Sequence, residues 1–278
     1  MNKRVLITGA NGYIGKHVTR KCLEHGYDVL ALDINNSNIQ DLGIKFIKGS
    51  FLDDNIYKNI YDFNPEIVIH LAWVDGFNHN SSRHLEDLGG HISFLSNLID
   101  HGTKKICALG TMHEIGYYEG KVDENTPCNP RSNYGVAKNV LRQALIEKQK
   151  TSNFNLYWLR GFYLTGDDEN NHSIFSKMLM AEKEGKKEFP LNSGKNQYDF
   201  IDIDLFSEMI VKTISQDEYS GIINICSGKP VSLKEKIEEF KVQNHLSLIF
   251  KYGEFPDRPY DSPIIYGDNN IITSIMKK

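Results

Sequence analysis

"LITGANGYIGKH", residues 6–17, decides how this chain folds. An apolar strand runs into Gly9, Gly12 and Gly15, each three residues after the last, and an amphipathic run follows. Gly9 suits a tight turn, Gly12 lets a backbone approach a pyrophosphate, and Gly15 lets a helix pack close to a sheet. The first helical residues, with Tyr13 and Ile14 between the glycines, then offer free N–H groups and a partial positive charge to phosphate. A glycine triplet alone also describes an ordinary turn, so its context has to decide. Here a strand precedes, a helix follows, and Asp33 ends the second strand 21 residues after Gly12. That carboxylate is placed to accept from a ribose diol and to repel a 2′-phosphate, and no arginine follows in INNSN. The pattern predicts NAD as cofactor in preference to NADP.

Outward from this stretch, apolar runs predict strands at 3–8, 28–33, 44–48, 66–71, 104–110 and 154–160. Helical periodicity between them predicts helices over 14–25, 83–101 and 132–149. This alternation reads as an α/β fold, a Rossmann-like doubly wound parallel sheet. After Gly166 the rhythm changes to a helix over 172–184, then loop, short strands and helices. We expect residues 1–165 plus roughly 198–226 to form a dinucleotide-binding domain. Roughly 166–197 plus 227–278 would form a smaller C-terminal α/β substrate-binding cap.

With 278 residues and 40% hydrophobic content, the chain can bury a substantial core. A net charge of −4 without a long basic run argues against a nucleic-acid partner. Cys22, Cys107, Cys128 and Cys226 are widely separated and form no CxxC pair. Neither a zinc site nor a disulfide framework is expected, and a reducing cytoplasm fits. The chain shows no signal peptide and no apolar run of ~20 residues, so no membrane span is expected. His79 and His84, in NHNSSRH, lack metal-ligand spacing, and no metal is predicted. His70 ends a strand and reads as structural.

A second signal is Tyr134-Gly-Val-Ala-Lys138, opening a helix after the caps Ser132 and Asn133. Positions four apart share a helix face, so the phenol and the ammonium point the same way. A lysine charge favours phenolate and would lower the tyrosine's ordinary pKa of ~10, suiting it to acid–base work. Thr111 follows the strand KKICALG and so lies at the carboxyl edge of the sheet, where open α/β folds bind ligands. His113, just beyond, is a candidate donor to a sugar hydroxyl or a ketone.

TGANGYIG, HLA (70–72), the hydroxyl residue after strand five and YGVAK together resemble the extended short-chain dehydrogenase/reductases, the NAD-dependent epimerase/dehydratase group. RGFYLTG (160–166), YDFIDIDLF (198–206), NICSGKPVSLKE (224–235) and FPDRPYD (255–261) extend the likeness over nearly the whole chain. The resemblance implies Tyr134 as acid/base, Lys138 on the nicotinamide ribose and Thr111 orienting substrate. It places Leu71, Ala72 and Trp73 along the cofactor, Ser50, Phe51 and Leu52 near the adenine, and Arg258 on a substrate phosphate. Ser50 stands where the family usually has Asp, Tyr163 replaces the Asn of RxxN, and Tyr198 the Arg of RDF. Tyr163 and its neighbours would therefore hold the nucleotide half differently. In TMHEIGY (111–117), Met112 occupies the Asp position of the dehydratases' Thr-Asp-Glu, which argues against dehydration. The implied activity is NAD-dependent reduction of a 4-keto-6-deoxysugar on a nucleotide, in cell-surface polysaccharide biosynthesis. A nucleotide-sugar epimerase with NAD recycled in place is the alternative, and a non-catalytic NAD-binding protein a third reading. A homodimer through the long helices is implied as well.

Overall fold

The computed structural model describes residues 3–171, 173–257 and 261–278. The first half alternates as the glycine stretch predicts. Strand β1 (Arg4–Thr8) leads through the glycine turn into α1 (Tyr13–Glu24), and β2 (Asp28–Asp33) and β3 (Lys45–Lys48) follow. Then come α2 (Tyr57–Phe63), β4 (Ile67–His70), α3 (Arg83–Glu86), α4 (Leu88–Asp100) and β5 (Lys105–Thr111). The short β6 (Gly120–Val122) precedes α5 (Asn133–Gln149), β7 (Asn155–Gly161) and β8 (Tyr163–Thr165). The remainder runs α6 (Ile174–Lys183), β9 (Glu188–Pro190), β10 (Gln197–Asp202), α7 (Ile203–Ser215), β11 (Gly221–Ile225) and β12 (Pro230–Ser232). It closes with α8 (Leu233–Gln243), β13 (Ile249–Lys251), β14 (Ile264–Gly267) and α9 (Asn270–Met276).

Among the described residues, seven parallel strands form the main sheet in the order β11-β7-β5-β4-β1-β2-β3. Both faces are covered, which is why its strands read as unbroken apolar runs. Val18 and Cys22 of α1, Phe206 and Ile210 of α7, and Ile272 and Ile275 of α9 cover one face. Ile60, Phe94, Leu98, Leu141 and Leu145 from α2, α4 and α5 cover the other. A second sheet, β12-β10-β14-β6 with β8 paired to β10, adjoins the carboxyl edge. A separate core of Phe175, Met178, Leu191, Ile237 and Phe240 lies among α6, α8 and their neighbours. Thus β10 hydrogen-bonds within the second sheet although its residues fall largely in the 198–226 range, while α9 returns to the main sheet.

The expected single helix over 83–101 is two helices broken at Asp87. Gly89 and Gly90 follow at once, and glycine is a poor helix former. Gly90 also admits Leu52, since a Cβ there would stand 2.1 Å from the Leu52 Cδ2. In α5, Ser132 caps the start by accepting from the Gly135 N–H at 3.2 Å.

Candidate active site

β1 and β4 are adjacent, and the chain leaves their carboxyl ends toward opposite faces of the sheet, which is where such sheets bind ligands. Gly9 has φ +68, and its N–H donates to the Leu32 carbonyl at 3.0 Å. A Cβ there would lie 2.6 Å from the Ala72 nitrogen, and one at Gly15 would lie 1.9 Å from the Gly9 oxygen. Gly12 differs, because a Cβ there would meet only the Gly9 oxygen, at 3.3 Å. The protein itself leaves the space above Gly12 open. The helix behind it starts without a side-chain cap and without an acidic residue in its first turn. Its first N–H groups have no intrahelical partner, and the helix start carries a partial positive charge. Beside this cradle the Asp33 carboxylate accepts from the N–H groups of Asn11 (2.9 Å) and Ile34 (2.7 Å). These residues fit a dinucleotide: open space above Gly12 for a pyrophosphate, amide donors at the helix start, and a carboxylate fixed beside them.

Other residues expected along the cofactor are more varied. The Tyr13 phenol donates to the Gly166 carbonyl at 2.6 Å, and Ile14 packs against the main core. The Ser50 N–H donates to Asp53 Oδ2 at 3.0 Å, so the neighbouring aspartate braces this turn. The Phe51 side chain is buried and stacks on His91 at 4.3 Å, whereas Leu52 is exposed. Leu71 packs on the core, and the Ala72 N–H donates to the Thr8 hydroxyl at 3.3 Å. Arg258 lies outside the described residues.

Thr111, Tyr134 and Lys138 meet at the same edge. Thr111 ends β5, and its hydroxyl faces the Tyr134 phenol closely enough to favour phenolate. Burial outweighs that contact and pushes the phenol up to about 12, so the expected downward shift does not hold in the protein alone. Burial brings the Lys138 ammonium down to about 7, opposed by Glu114. That ammonium donates to the Leu109 carbonyl at 2.7 Å and lies 3.6 Å from the centre of the Trp73 ring. Glu114 is turned into the core. Its carboxylate accepts from the Thr111 N–H at 2.7 Å and from the Trp158 indole at 3.0 Å, and pairs with Arg142 at 3.4 Å. It braces the Thr111 turn, and its charge opposes ionisation of the Tyr134 phenol.

The sequence reading missed the aromatic ring around Tyr134. His79 stacks on it at 5.2 Å, and His84 and Trp73 lie 5.2 and 6.0 Å away. His113 sits 4.3 Å from His79, between Tyr134 and Tyr163. Tyr163 in turn packs against Tyr198 with ring centres 4.6 Å apart and the planes tilted by 48°. Behind Trp73, His70 bonds to Thr8 and to His91, each at 2.8 Å, within the core. Among the described residues no cluster of His, Cys, Asp or Glu could hold a metal ion.

Burial holds three of these histidines neutral. His70 and His113 are brought down to about 3, and His91, beside His70 and Lys138, lower still. Below their ordinary value of 6.5 the unfolded chain binds protons that the native state refuses. Stability should therefore fall as pH drops from 6.5, by up to ~1.4 kcal/mol per pH unit for each histidine. Urea midpoints between pH 7 and pH 5 test this, and a flat profile would mean that these rings are charged in the native protein.

An open parallel sheet with a glycine cradle at its switch point and a Thr–Tyr–Lys set on the same edge defines a nicotinamide-dependent oxidoreductase of the short-chain type. The model of the NAD dependent epimerase/dehydratase family matches residues 5–226, and the chain belongs to that family. The dTDP-6-deoxy-L-talose 4-dehydrogenase (NAD(+)) of Aggregatibacter actinomycetemcomitans is 44% identical over 274 residues, covering 95% of this chain and 98% of that protein. Escherichia coli dTDP-4-dehydro-6-deoxyglucose reductase is 24% identical over 295 residues, covering 98% and 89%. Among solved structures, a UDP-glucose 4-epimerase from Stenotrophomonas maltophila, with bound NAD and formylated UDP-arabinopyranose, superposes with a TM-score of 0.89. That match covers 99% of this chain and 93% of the other at 18% identity, a likeness of fold.

Proposed function

We propose that this chain is an NAD-dependent oxidoreductase acting at C4 of a nucleotide-linked 6-deoxysugar, interconverting the 4-keto and 4-hydroxy forms. The observation that carries the reading is the Tyr134 phenol beside the Thr111 hydroxyl while Glu114, the carboxylate nearest to Thr111 in sequence, is bound inward. A site so arranged protonates or deprotonates one oxygen but lacks that carboxylate as an acid for a leaving hydroxyl. The 44% identical relative, named for oxidation at C4 of a dTDP-linked 6-deoxysugar with NAD, supports the same reaction class.

In the reducing direction Tyr134 gives its proton to the ketone oxygen, and Thr111 holds that oxygen by a hydrogen bond. Lys138 holds the nicotinamide ribose, and Asp33 accepts from the adenosine ribose hydroxyls. When bound, the nicotinamide supplies or accepts the hydride. Tyr163 and His113 line the substrate side, and a phosphate contact falls to Arg258. A dimer would use Leu85, Val136 and Val140, apolar side chains exposed on α3 and α5. Four free cysteines suit a reducing cytoplasm, where the product would feed cell-surface polysaccharide biosynthesis. No described helix is long and apolar enough to cross a membrane.

The test is NADH oxidation at 340 nm with a panel of 4-keto-6-deoxy nucleotide sugars, alongside mass spectrometry of molecules released on denaturation. Stoichiometric NADH consumption is expected. Tightly retained NAD with a C4-inverted sugar and no net consumption would establish an epimerase instead. Asp33→Ala should narrow the preference for NAD over NADP about tenfold or more, because the buttressed carboxylate that repels a 2′-phosphate is gone. An unchanged ratio of kcat/KM for the two cofactors would show that Asp33 does not meet the ribose.

A further inference from the structure

We propose that Trp73 is a positioning residue for the Tyr134–Lys138 pair: its indole face seats the Lys138 ammonium, and His84 locks the indole in that plane. The proposal rests on the reading that Tyr134 and Lys138 carry the chemistry. Lys138 is 2% exposed, and its ammonium donates a hydrogen bond to the Leu109 carbonyl. A buried ammonium needs further compensation. The indole ring centre, 3.6 Å away, supplies it as a desolvated cation–π contact.

The indole is held on two sides. His91 stacks on it at 4.2 Å and 19°, and His91 itself stacks on Phe51, so one π-stack runs from the β3 turn to the lysine. At its edge the indole N–H donates to His84 Nδ1 at 3.0 Å. That bond fixes the His84 tautomer, leaving Nε2–H to donate to the Asn78 carbonyl at 2.9 Å. His84 is itself buried, so turning Trp73 would strand a buried ring nitrogen. Trp73 also meets the Tyr134 ring edge-on, and so touches both members of the pair.

Among the described residues, four charged or titratable groups face Lys138. Tyr134 faces it from its own helix, Glu114 from beyond β5, His70 from β4 and His91 from α4. The histidines are neutral, and the Glu114 carboxylate is already engaged by Trp158 and Arg142. The indole is therefore a principal support for the positive form of Lys138, and a positive charge beside the phenol favours its ionised form against the burial that raises it.

The experiment measures kcat/KM against pH in the alcohol-oxidising direction, where Tyr134 must first lose its proton. It uses the full chain with NAD and its 4-hydroxy nucleotide sugar. Trp73→Leu should lower kcat about tenfold and move the rising limb up by about half a pH unit or more, because Lys138 is less readily charged. Trp73→Phe, which keeps a π-face, should restore most of both, and His84→Gln should shift the limb the same way by less. A limb that stays in place in all three variants, or full activity in Trp73→Leu, overturns the proposal. Should Trp73→Leu not fold, the limbs of Trp73→Phe and His84→Gln decide it. Tyr134→Phe is run beside them. If it stays active, the reading of the catalytic pair fails. If it is dead while Trp73→Leu is normal, only the role of Trp73 fails.

Discussion

Tyr134→Phe should lower kcat by about three orders of magnitude and leave dinucleotide affinity within a few fold. The substitution removes one oxygen. The ring that stacks on His79 and meets Trp73 edge-on is kept, so the wall of the site stays in place. What is lost is the proton donor beside the Thr111 hydroxyl. Burial keeps this phenol protonated, at about 12, so in the ketone-reducing direction it is in its donating form throughout the neutral range. The reduction rate of the parent should accordingly be flat across pH 6–8 as far as Tyr134 is concerned. Single-turnover rates and a fluorescence titration with NADH separate chemistry from binding. Retained turnover in the variant would move the acid role to another group, with His113 the neighbour to test next.

The dinucleotide half of the site is legible in the sequence because its signals are local. A strand, three glycines at fixed spacing and a carboxylate at the end of the next strand are neighbours along the chain, and the sheet only has to form for them to meet. The Tyr134–Lys138 pair is legible for the same reason, being one turn of α5. Glu114 could not be placed from sequence, because its inward turn depends on Trp158 and Arg142, 44 and 28 residues further on. The aromatic surround was illegible for a different reason. NHNSSRH reads from its composition only as a polar loop, yet the Tyr134 N–H donates to the His79 carbonyl at 2.9 Å and draws the loop over the start of α5. Tyr163 meets Tyr198 and Phe200 only through the pairing of β8 with β10, a contact of long sequence separation. The break at Asp87 was in view as Gly89–Gly90, but helical periodicity on either side overrode it.

Gly12→Ala and Gly15→Ala should fail in opposite ways, and that contrast tests the glycine turn most directly. At Gly15 a Cβ would stand 1.9 Å from the Gly9 oxygen and 2.8 Å from Ala10, all backbone atoms that cannot rotate aside. Relief would require α1 to lift from β1, and α1 buries Val18 and Cys22 against the sheet. A loss of about 3 kcal/mol or more in stability is expected, with poor recovery of folded protein. At Gly12 the backbone is extended, with φ −69 and ψ 175, and the added methyl meets only the Gly9 oxygen at 3.3 Å. Folding should therefore cost within about 1 kcal/mol, the ordinary difference between residues at a helix cap. The methyl stands instead in the open cradle before the helix amides, and the Kd for NADH should rise about tenfold or more. Thermal melts and NADH titrations on both variants read the two effects apart. If Gly12→Ala binds NADH as the parent does, the triplet is only a turn, and the pyrophosphate lies elsewhere on the sheet edge.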